Sequence, residues 1–252
     1  MKIVSWNVNS IKARLDHVKS YLRDEKPDVL MVQELKGLEF PAAEFEALDY
    51  QTAAVPQKAY NGVAVFSKKP ITTIHDALPG DDKDEQARYI EFEVDGLRLI
   101  NIYAPNGNPT PGDKYDYKLA WMERLYRRLS ELRASNTNFA IGGDFNVIPE
   151  AKDCHDPKAW ADDALFKLET RQAYRKLINL GLTDAYRTQD NRAEQYTFWD
   201  YQRGAWQQNH GIRIDHFLLS PSVTDRLKAC RIDREPRGLS KPSDHTPIFI
   251  EL

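Results

Sequence analysis

The sequence has little of several features that mark particular protein classes. Only two of its 252 residues are cysteines, Cys154 and Cys230, so neither a disulfide framework nor a cysteine-rich zinc site is expected. No apolar run approaches the ~18–20 residues that a membrane span requires. The first residues, MKIVSWNVNS, lack the basic start and apolar stretch of a signal peptide. These absences predict a cytoplasmic protein without membrane contact.

Motifs of several enzyme classes are also absent. The sequence contains no GxxxxGK[ST] or GxGxxG, which argues against a nucleotide-binding loop, and no GxSxG, which argues against a serine hydrolase. It has no internal repeat, no low-complexity tract and no linker-like stretch. We therefore expect a single domain spanning residues 1–252.

The composition is that of a globular protein, with 41% hydrophobic and 29% charged residues. A net charge of −3 excludes a uniformly basic surface but allows a local basic face. Residues 226–241 contain six basic side chains against two acidic ones, which is the charge pattern expected of a surface that meets nucleic acid.

Short apolar segments predict strands at residues 2–6, 28–33, 62–67, 90–94, 97–103, 139–141, 213–219 and 246–251. Apolar residues at helical spacing predict three helices: one with Ser10 as its N-cap that stops at Pro27, one over 115–133 and one over 163–179. The turn signal Asp95-Gly96 places two of the strands in a hairpin. This mixture favours two packed sheets covered by helices over a purely parallel sheet.

Polar side chains stand at the boundaries of these strands. Taken alone, an Asp or Asn after a strand is usually a turn or capping residue, and a Tyr or His there can simply be packed in the core. Loops at one edge of a sheet pair are where active sites are assembled, so the joint pattern predicts a site. Its members are Asn7, Glu34, Tyr103, Asn106, Asp144, Asn146, Asp215, Asp244 and His245.

These residue types suit metal-assisted hydrolysis of a phosphodiester. Glu34 with Asn7 offers hard oxygen ligands, which suit Mg²⁺ or Mn²⁺, whereas zinc is disfavoured because HExxH and clustered Cys/His are absent. The reaction needs a base for the attacking water, a donor for the phosphoryl oxygens and help for the departing oxyanion. Asp144, His245 and Tyr103 can fill those roles.

Eight segments resemble the exodeoxyribonuclease III family of apurinic/apyrimidinic endonucleases, within the endonuclease/exonuclease/phosphatase superfamily. They span nearly the whole chain in family order: SWNVNSIKAR at 5–14, VLMVQELK at 29–36, NGVAVFSK at 61–68, NIYAPNG at 101–107, IGGDFNV at 141–147, TFWDY at 197–201, RIDHFLLS at 213–220 and SDHTPI at 243–248. The resemblance implies an α/β (α+β) fold, a four-layered α/β/β/α sandwich of two packed mixed sheets flanked by helices.

The resemblance also implies an activity. It is the Mg²⁺-dependent cleavage of duplex DNA on the 5′ side of an abasic site, which leaves a 3′-hydroxyl, with Mn²⁺ as a substitute metal. Exonuclease activity from the 3′ end and 3′-phosphodiesterase activity on blocked 3′ ends are expected to accompany it. The implied partner is duplex DNA, and we expect a monomer with no obligate protein partner.

Site roles follow from the same resemblance. Metal-binding positions are matched by Asn7, Glu34 and Asp244. Catalytic positions are matched by Tyr103, Asp144, Asn146, Asp215, Asp244 and His245. In the family these positions activate and orient water, hold an imidazole at the phosphate or contact the leaving group. Substrate-binding positions are matched by Arg88, Asn106, Phe198, Trp199, Ile212 and Ile214, the last four in the pocket for the extruded abasic sugar. The number of metal ions and the identity of the general base stay open.

Two positions depart from the animal enzymes of this family. Ile212 stands where some members carry Trp, and Asn9 stands where animal enzymes carry Asp. Both departures indicate an enzyme of bacterial type. They leave open how tight the pocket is, and with it the balance between endonuclease and exonuclease activity.

Two other functions agree less well with the sequence. Another phosphoesterase of the superfamily, such as an inositol-phosphate phosphatase, usually shows a Pro-x-Trp-Cys-Asp-Arg pattern, where this chain has GIRID at 211–215. A DNA-damage-binding protein without catalysis would be expected to have lost a site residue, whereas every position named above holds a chemically competent side chain.

Overall fold

Twelve strands form two six-stranded mixed sheets in the computed structural model, which describes residues 1–252. The first sheet has the order β11 (Ala229–Ile232), β12 (Ile248–Glu251), β1 (Lys2–Asn7), β2 (Val29–Gln33), β4 (Val63–Ser67) and β3 (Gln51–Val55). The second has the order β5 (Thr72–His75), β6 (Tyr89–Val94), β7 (Leu97–Tyr103), β8 (Phe139–Asp144), β10 (Asp215–Leu219) and β9 (Thr183–Asp184). In each sheet one pair is parallel, β1 with β2 and β7 with β8, and the other pairs are antiparallel.

Six helices flank the two sheets, four of them on the outer faces and two at the core between the sheets. They are α1 (Leu15–Glu25), α2 (Ala42–Glu46), α3 (Asp113–Ala134), α4 (Leu168–Ile178), α5 (Ala185–Gln189) and α6 (Pro221–Thr224), with 3₁₀ turns at Ala151–Asp153 and Glu235–Gly238. Apolar residues of α1 and α2 pack on the first sheet, and those of α3 and α4 pack on the second. The predicted four-layered sandwich is confirmed. No helix combines the length and the apolar character needed to cross a bilayer.

The main core lies between the two sheets. Successive strand residues point to opposite faces, so Ile3 joins the core shared with Phe92 and Phe217 of the second sheet, whereas Val4 packs beneath α1. Both faces of the central strands are buried, which explains why β2 reads as an unbroken apolar run. Truncating a core aromatic such as Phe217 to alanine is expected to cost about 3–5 kcal/mol of stability.

The element boundaries differ from the predicted ones where tertiary contacts intervene. Ser10 caps the turn that precedes the helix and not α1 itself. Its Oγ accepts a hydrogen bond from the N–H of Ala13 at 3.3 Å, while its own N–H donates to Glu34 O over 2.7 Å. The chain here follows the end of β2, and α1 starts only at Leu15. Strand β8 continues through Gly142 and Gly143 to Asp144, and a Cβ at Gly143, whose φ is +148°, would lie 2.0 Å from Ile102 O. Only glycine allows β8 to approach β7 this closely.

Candidate active site

Six strand boundaries meet at one end of the sandwich. Strands β1, β2, β7 and β8 end there, while β10 and β12, which run antiparallel to their neighbours, begin there. These boundaries carry the predicted residues Asn7, Glu34, Tyr103, Asp144, Asp215, Asp244 and His245. Residues from both sheets therefore face a common space.

Asn7 connects the two sheets at this end. Its Nδ2 donates to Glu34 Oε1 over 2.8 Å and to Asp144 Oδ2 over 3.0 Å, so one amide holds carboxylates from both sheets. Its Oδ1 accepts a hydrogen bond from the backbone N–H of Asn9 at 3.0 Å. Both ends of the amide thus have partners within the protein, and Nδ2 links a carboxylate of each sheet.

A cluster of three side chains has the donors of a metal site. Ligand atoms of Glu34, Asp144 and His245 lie within 4.8 Å of one another. Asp244 is outside this cluster, and its Oδ1 accepts a hydrogen bond from Asn9 Nδ2 at 3.0 Å. Lys36 Nζ lies 2.6 Å from Glu34 Oε2. Burial acts to raise the pKa of Glu34, but the Lys36 ammonium and the hydrogen bonds from Lys36 and Asn7 outweigh it and lower the pKa.

His245 is held from behind by Asp215. The contact between His245 Nδ1 and Asp215 Oδ2 is 2.8 Å, and His245 Nε2 lies 3.7 Å from Asp144 Oδ2. Burial acts to lower the pKa of His245, and the carboxylates of Asp215 and Asp144 more than reverse this, so the pKa is raised. Burial raises the pKa of Asp144, with Asp215 adding to the increase and His245 opposing it. The pKa values of His245 and Asp144 are thus both higher than usual, and His245 carries a proton at neutral pH.

Tyr103 and Arg88 form the adjoining wall. Burial and the negative charges of Glu34 and Asp144 raise the pKa of Tyr103 well above its usual value, so its hydroxyl remains a donor at neutral pH. Arg88 donates from Nη1 to Tyr103 O over 3.1 Å, and its guanidinium lies 4.8 Å from the centre of the Tyr103 ring. With Glu34 and Lys36 these two residues line a cleft of about 480 Å³. Its two cationic side chains suit an anionic substrate.

Two asparagines complete the site on the side of the second sheet. Asn106 Nδ2 donates to Asn146 Oδ1 over 3.3 Å, and the backbone N–H of Asn146 donates to Asp144 Oδ1 over 2.9 Å. Lys118 lies beneath them with no solvent exposure, and its Nζ donates to Asn106 O at 3.0 Å and to Asn146 O at 2.5 Å. Burial lowers the pKa of Lys118 to about 7, against the opposing pull of Asp144 and Asp163.

Two of the four residues predicted for the sugar pocket line a cavity beside His245. Phe198 stands against His245, with ring centres 5.0 Å apart, and with Ile212 it lines a cavity of about 270 Å³. Trp199 and Ile214 do not line this cavity: each is buried in an apolar cluster, and Trp199 Nε1 donates to Asn209 Oδ1 over 3.2 Å. The cavity is completed by residues that the sequence analysis did not single out, among them Trp160 and the stacked rings of His155 and His210.

Other supporting residues were also missed. Gln33 of β2 donates from Nε2 to Asn101 Oδ1 of β7 over 2.7 Å, a buried bridge between the sheets just below the site. Lys118 follows Tyr115 and precedes Met122 at the helical spacing of three and four residues. A lysine within an apolar helical stripe is the one sequence signal that could have identified it.

Comparison with known proteins agrees with this geometry. Residues 4–245 match the Endonuclease/Exonuclease/phosphatase family. The chain belongs to this family. It is 31% identical to the exodeoxyribonuclease III of Haemophilus influenzae, an alignment that covers 100% of both chains. The resemblance predicted from the eight segments is confirmed.

Solved structures extend the comparison. The 3′–5′ exonuclease NExo of Neisseria meningitidis superposes with a TM-score of 0.97 at 38% identity, covering 100% of this chain and 99% of that one. An AP endonuclease from Archaeoglobus fulgidus superposes with a TM-score of 0.96 at 36% identity, with the same coverage. A further structure of NExo, described as a 3′ phosphatase, is bound to a product DNA hairpin. The family member described here thus shares its fold with both an exonuclease and an endonuclease.

Proposed function

We propose that this chain is a DNA-repair nuclease that cleaves duplex DNA on the 5′ side of abasic sites and also acts from 3′ ends. The observation that carries the proposal is the convergence of Glu34 and Asp144 with the His245–Asp215 pair at one point, in a chain of the Endonuclease/Exonuclease/phosphatase family. Nuclease action on DNA is common to the relatives, and the abasic specificity is supported by the Archaeoglobus fulgidus AP endonuclease.

The acidic cluster fits a divalent cation that prefers oxygen ligands, and Mg²⁺ is the ion we propose. The carboxylate of Glu34 supplies hard oxygens, and the side-chain oxygens of Asn7 and Asp244 are the further ligands that we propose. The side chain of Glu34 is only 13% exposed and already has a cationic neighbour in Lys36, so this pocket is built to face positive charge. When bound, the ion would neutralise charge on the phosphoryl oxygens.

We propose roles for the remaining groups that agree with the direction of their pKa shifts. Asp144, whose pKa is raised, is placed to take the proton of the attacking water, with Asn146 orienting that water. His245, charged and held by Asp215, is placed to donate from Nε2 to a phosphoryl oxygen. Tyr103 remains protonated and is placed to donate to the departing oxygen.

The substrate contacts follow from the two cavities. Arg88, which lines the cleft, and Asn106, which lies beside Asn146, are proposed to contact the DNA backbone. The cavity with Phe198 and Ile212 is proposed to receive a sugar that has lost its base, because such a sugar offers little to hydrogen-bond and costs less to unstack.

The test uses an end-labelled duplex that carries one stable abasic analogue, with Mg²⁺ or with EDTA. A single Mg²⁺-dependent cut 5′ to the analogue would support the proposal. A ladder that shortens from the 3′ end of undamaged duplex, without that cut, would make the exonuclease the main activity. Absence of cleavage on both substrates by folded protein would overturn the proposal.

A further inference from the structure

A third cavity lies on the outer face of the first sheet, behind the active site, where Trp6 Nε1 donates to His245 O over 3.3 Å. It has a volume of about 310 Å³ and is enclosed by α1 and the 3₁₀ turn Glu235–Gly238. Its apolar wall includes Trp6, Tyr21 and Leu239, of which Leu239 is 49% exposed. None of the residues proposed to act on DNA lines this cavity.

The cavity is lined by negative charge, whereas a surface that binds DNA is positively charged. Four carboxylates line it, those of Asp24, Glu25, Asp233 and Glu235. Glu25 is paired with Lys2 at 2.6 Å, whereas Asp24, Asp233 and Glu235 have no ion pair. Three carboxylates without a cation beside an apolar wall are complementary to a positively charged group on an apolar stem.

The cavity also contains buried polar atoms without partners. Tyr21 is 6% exposed, and its hydroxyl makes no hydrogen bond in the protein although the Asp233 carboxylate is its neighbour. His17 Nδ1, on the same helix, is likewise buried and unpartnered. Buried polar atoms are nearly always hydrogen-bonded, so these two atoms point to a ligand that brings its own donors.

We propose that this acidic cavity binds an arginine side chain of a protein partner. A guanidinium has five N–H donors and no acceptor, enough for the Tyr21 hydroxyl and the free carboxylates together. Its planar face suits the neighbouring rings of Trp6 and Tyr21, whose centres are 5.4 Å apart. The exposed Leu239 at the rim fits an apolar residue next to that arginine.

The experiment uses a blocked pentapeptide, Gly-Leu-Arg-Leu-Gly, and a matched peptide with the isosteric but uncharged citrulline. Binding is followed by NMR in ¹⁵N-labelled full-length protein through the Trp6 indole N–H. We expect the arginine peptide to shift this resonance saturably and the citrulline peptide not to do so. The double variant Asp233→Asn/Glu235→Gln should weaken binding about tenfold or more.

The control variant Asp81→Asn/Asp82→Asn removes the same charge at exposed positions and should bind like the parent protein. Spectra of each variant without peptide establish that it is folded. The proposal is overturned if citrulline binds equally well, if both double variants weaken binding alike, or if no Trp6 shift occurs. It is also overturned if the diamine putrescine binds as tightly as the peptide, since that identifies a small-molecule site.

Discussion

Asp215 accepts the Nδ1 proton of His245 across 2.8 Å, in a part of the molecule where both side chains are buried. The contact fixes which imidazole nitrogen faces backward and leaves Nε2 directed at the space beside Asp144, 3.7 Å from its Oδ2. It also fixes the charge, since the Asp215 carboxylate raises the pKa of His245. The geometry and protonation of His245 therefore have the same cause.

Replacing Asp215 with asparagine is expected to reduce kcat by roughly 10²–10⁴-fold, the range typical of acid–base groups. Without the carboxylate the pKa of His245 falls, so the loss of activity at alkaline pH should begin at a lower pH than in the parent protein. Rates of cleavage measured across pH test this. The exposed Asp225→Asn should leave the profile unchanged, and an unshifted alkaline limb in Asp215→Asn would contradict the role given to this pair.

Metal removal should abolish cleavage, and Mg²⁺ should restore it. In Glu34→Gln a hard anionic ligand is lost, so the Mg²⁺ concentration for half-maximal rate should rise about tenfold or more. A metal titration of the cleavage rate gives this value. Glu46→Gln, on the exposed face of α2, is the matched control. Superimposable titration curves for the Glu34 variant and the parent would exclude Glu34 as a ligand.

Lys118→Met should lower kcat although Lys118 touches no substrate. The variant keeps the unbranched stem of the side chain but removes the terminal nitrogen that donates to Asn106 O and Asn146 O, so both asparagines lose their anchor. Misplacement of such groups costs roughly 10- to 100-fold in rate. The measurement is kcat with KM for the abasic duplex, beside Lys114→Met at an exposed site of the same helix. Equal rates in both variants would show that the anchor is dispensable.

A buried ion pair beside the site should control acid stability. Arg213 Nε donates to Asp153 Oδ1 over 2.6 Å, and both side chains are almost fully buried. Burial acts to raise the pKa of Asp153, and Arg213 and Arg187 more than reverse this. Its pKa is thus lower in the folded chain than in the unfolded chain, and the stabilisation is complete above the unfolded pKa of about 3.9 and lost as pH falls through the folded value.

Asp153→Asn should therefore lose about 3–5 kcal/mol of unfolding free energy at pH 7, because it leaves Arg213 with a reduced set of charged partners. The difference from the parent should shrink as pH falls below about 4, because the unfolded parent then takes up a proton at Asp153, and it should be smallest below the folded pKa of Asp153. Urea unfolding at the two pH values measures both effects, with the exposed Asp162→Asn as control. A loss of unfolding free energy that did not change with pH would mean that Asp153 stabilises the fold by its packing and not by its charge.

Site residues could be predicted from the sequence where a local segment identifies them. They could not be predicted where their role depends on backbone atoms far away in the chain. Asp144 and His245 stand at strand boundaries within recognisable segments, so their convergence could be predicted. Lys118 could not be placed in the same way, because its partners are main-chain carbonyls that lie 12 and 28 residues away. Strands β3, β5, β9 and β11 were also missed, because all four are edge strands, where the apolar pattern is weak.

The hydrogen bond from Asn7 to Asp144 spans the two sheets at 3.0 Å, and the one from Gln33 to Asn101 spans them at 2.7 Å. Each group that meets at this end is therefore positioned by the separation of the sheets as well as by its own strand. Slight swelling of the shared core, by heat, denaturant or pressure, would pull the two halves of the site apart while every helix and strand persisted. Catalytic activity therefore depends on how tightly the shared core is packed. It would be lost before any spectroscopic sign of unfolding.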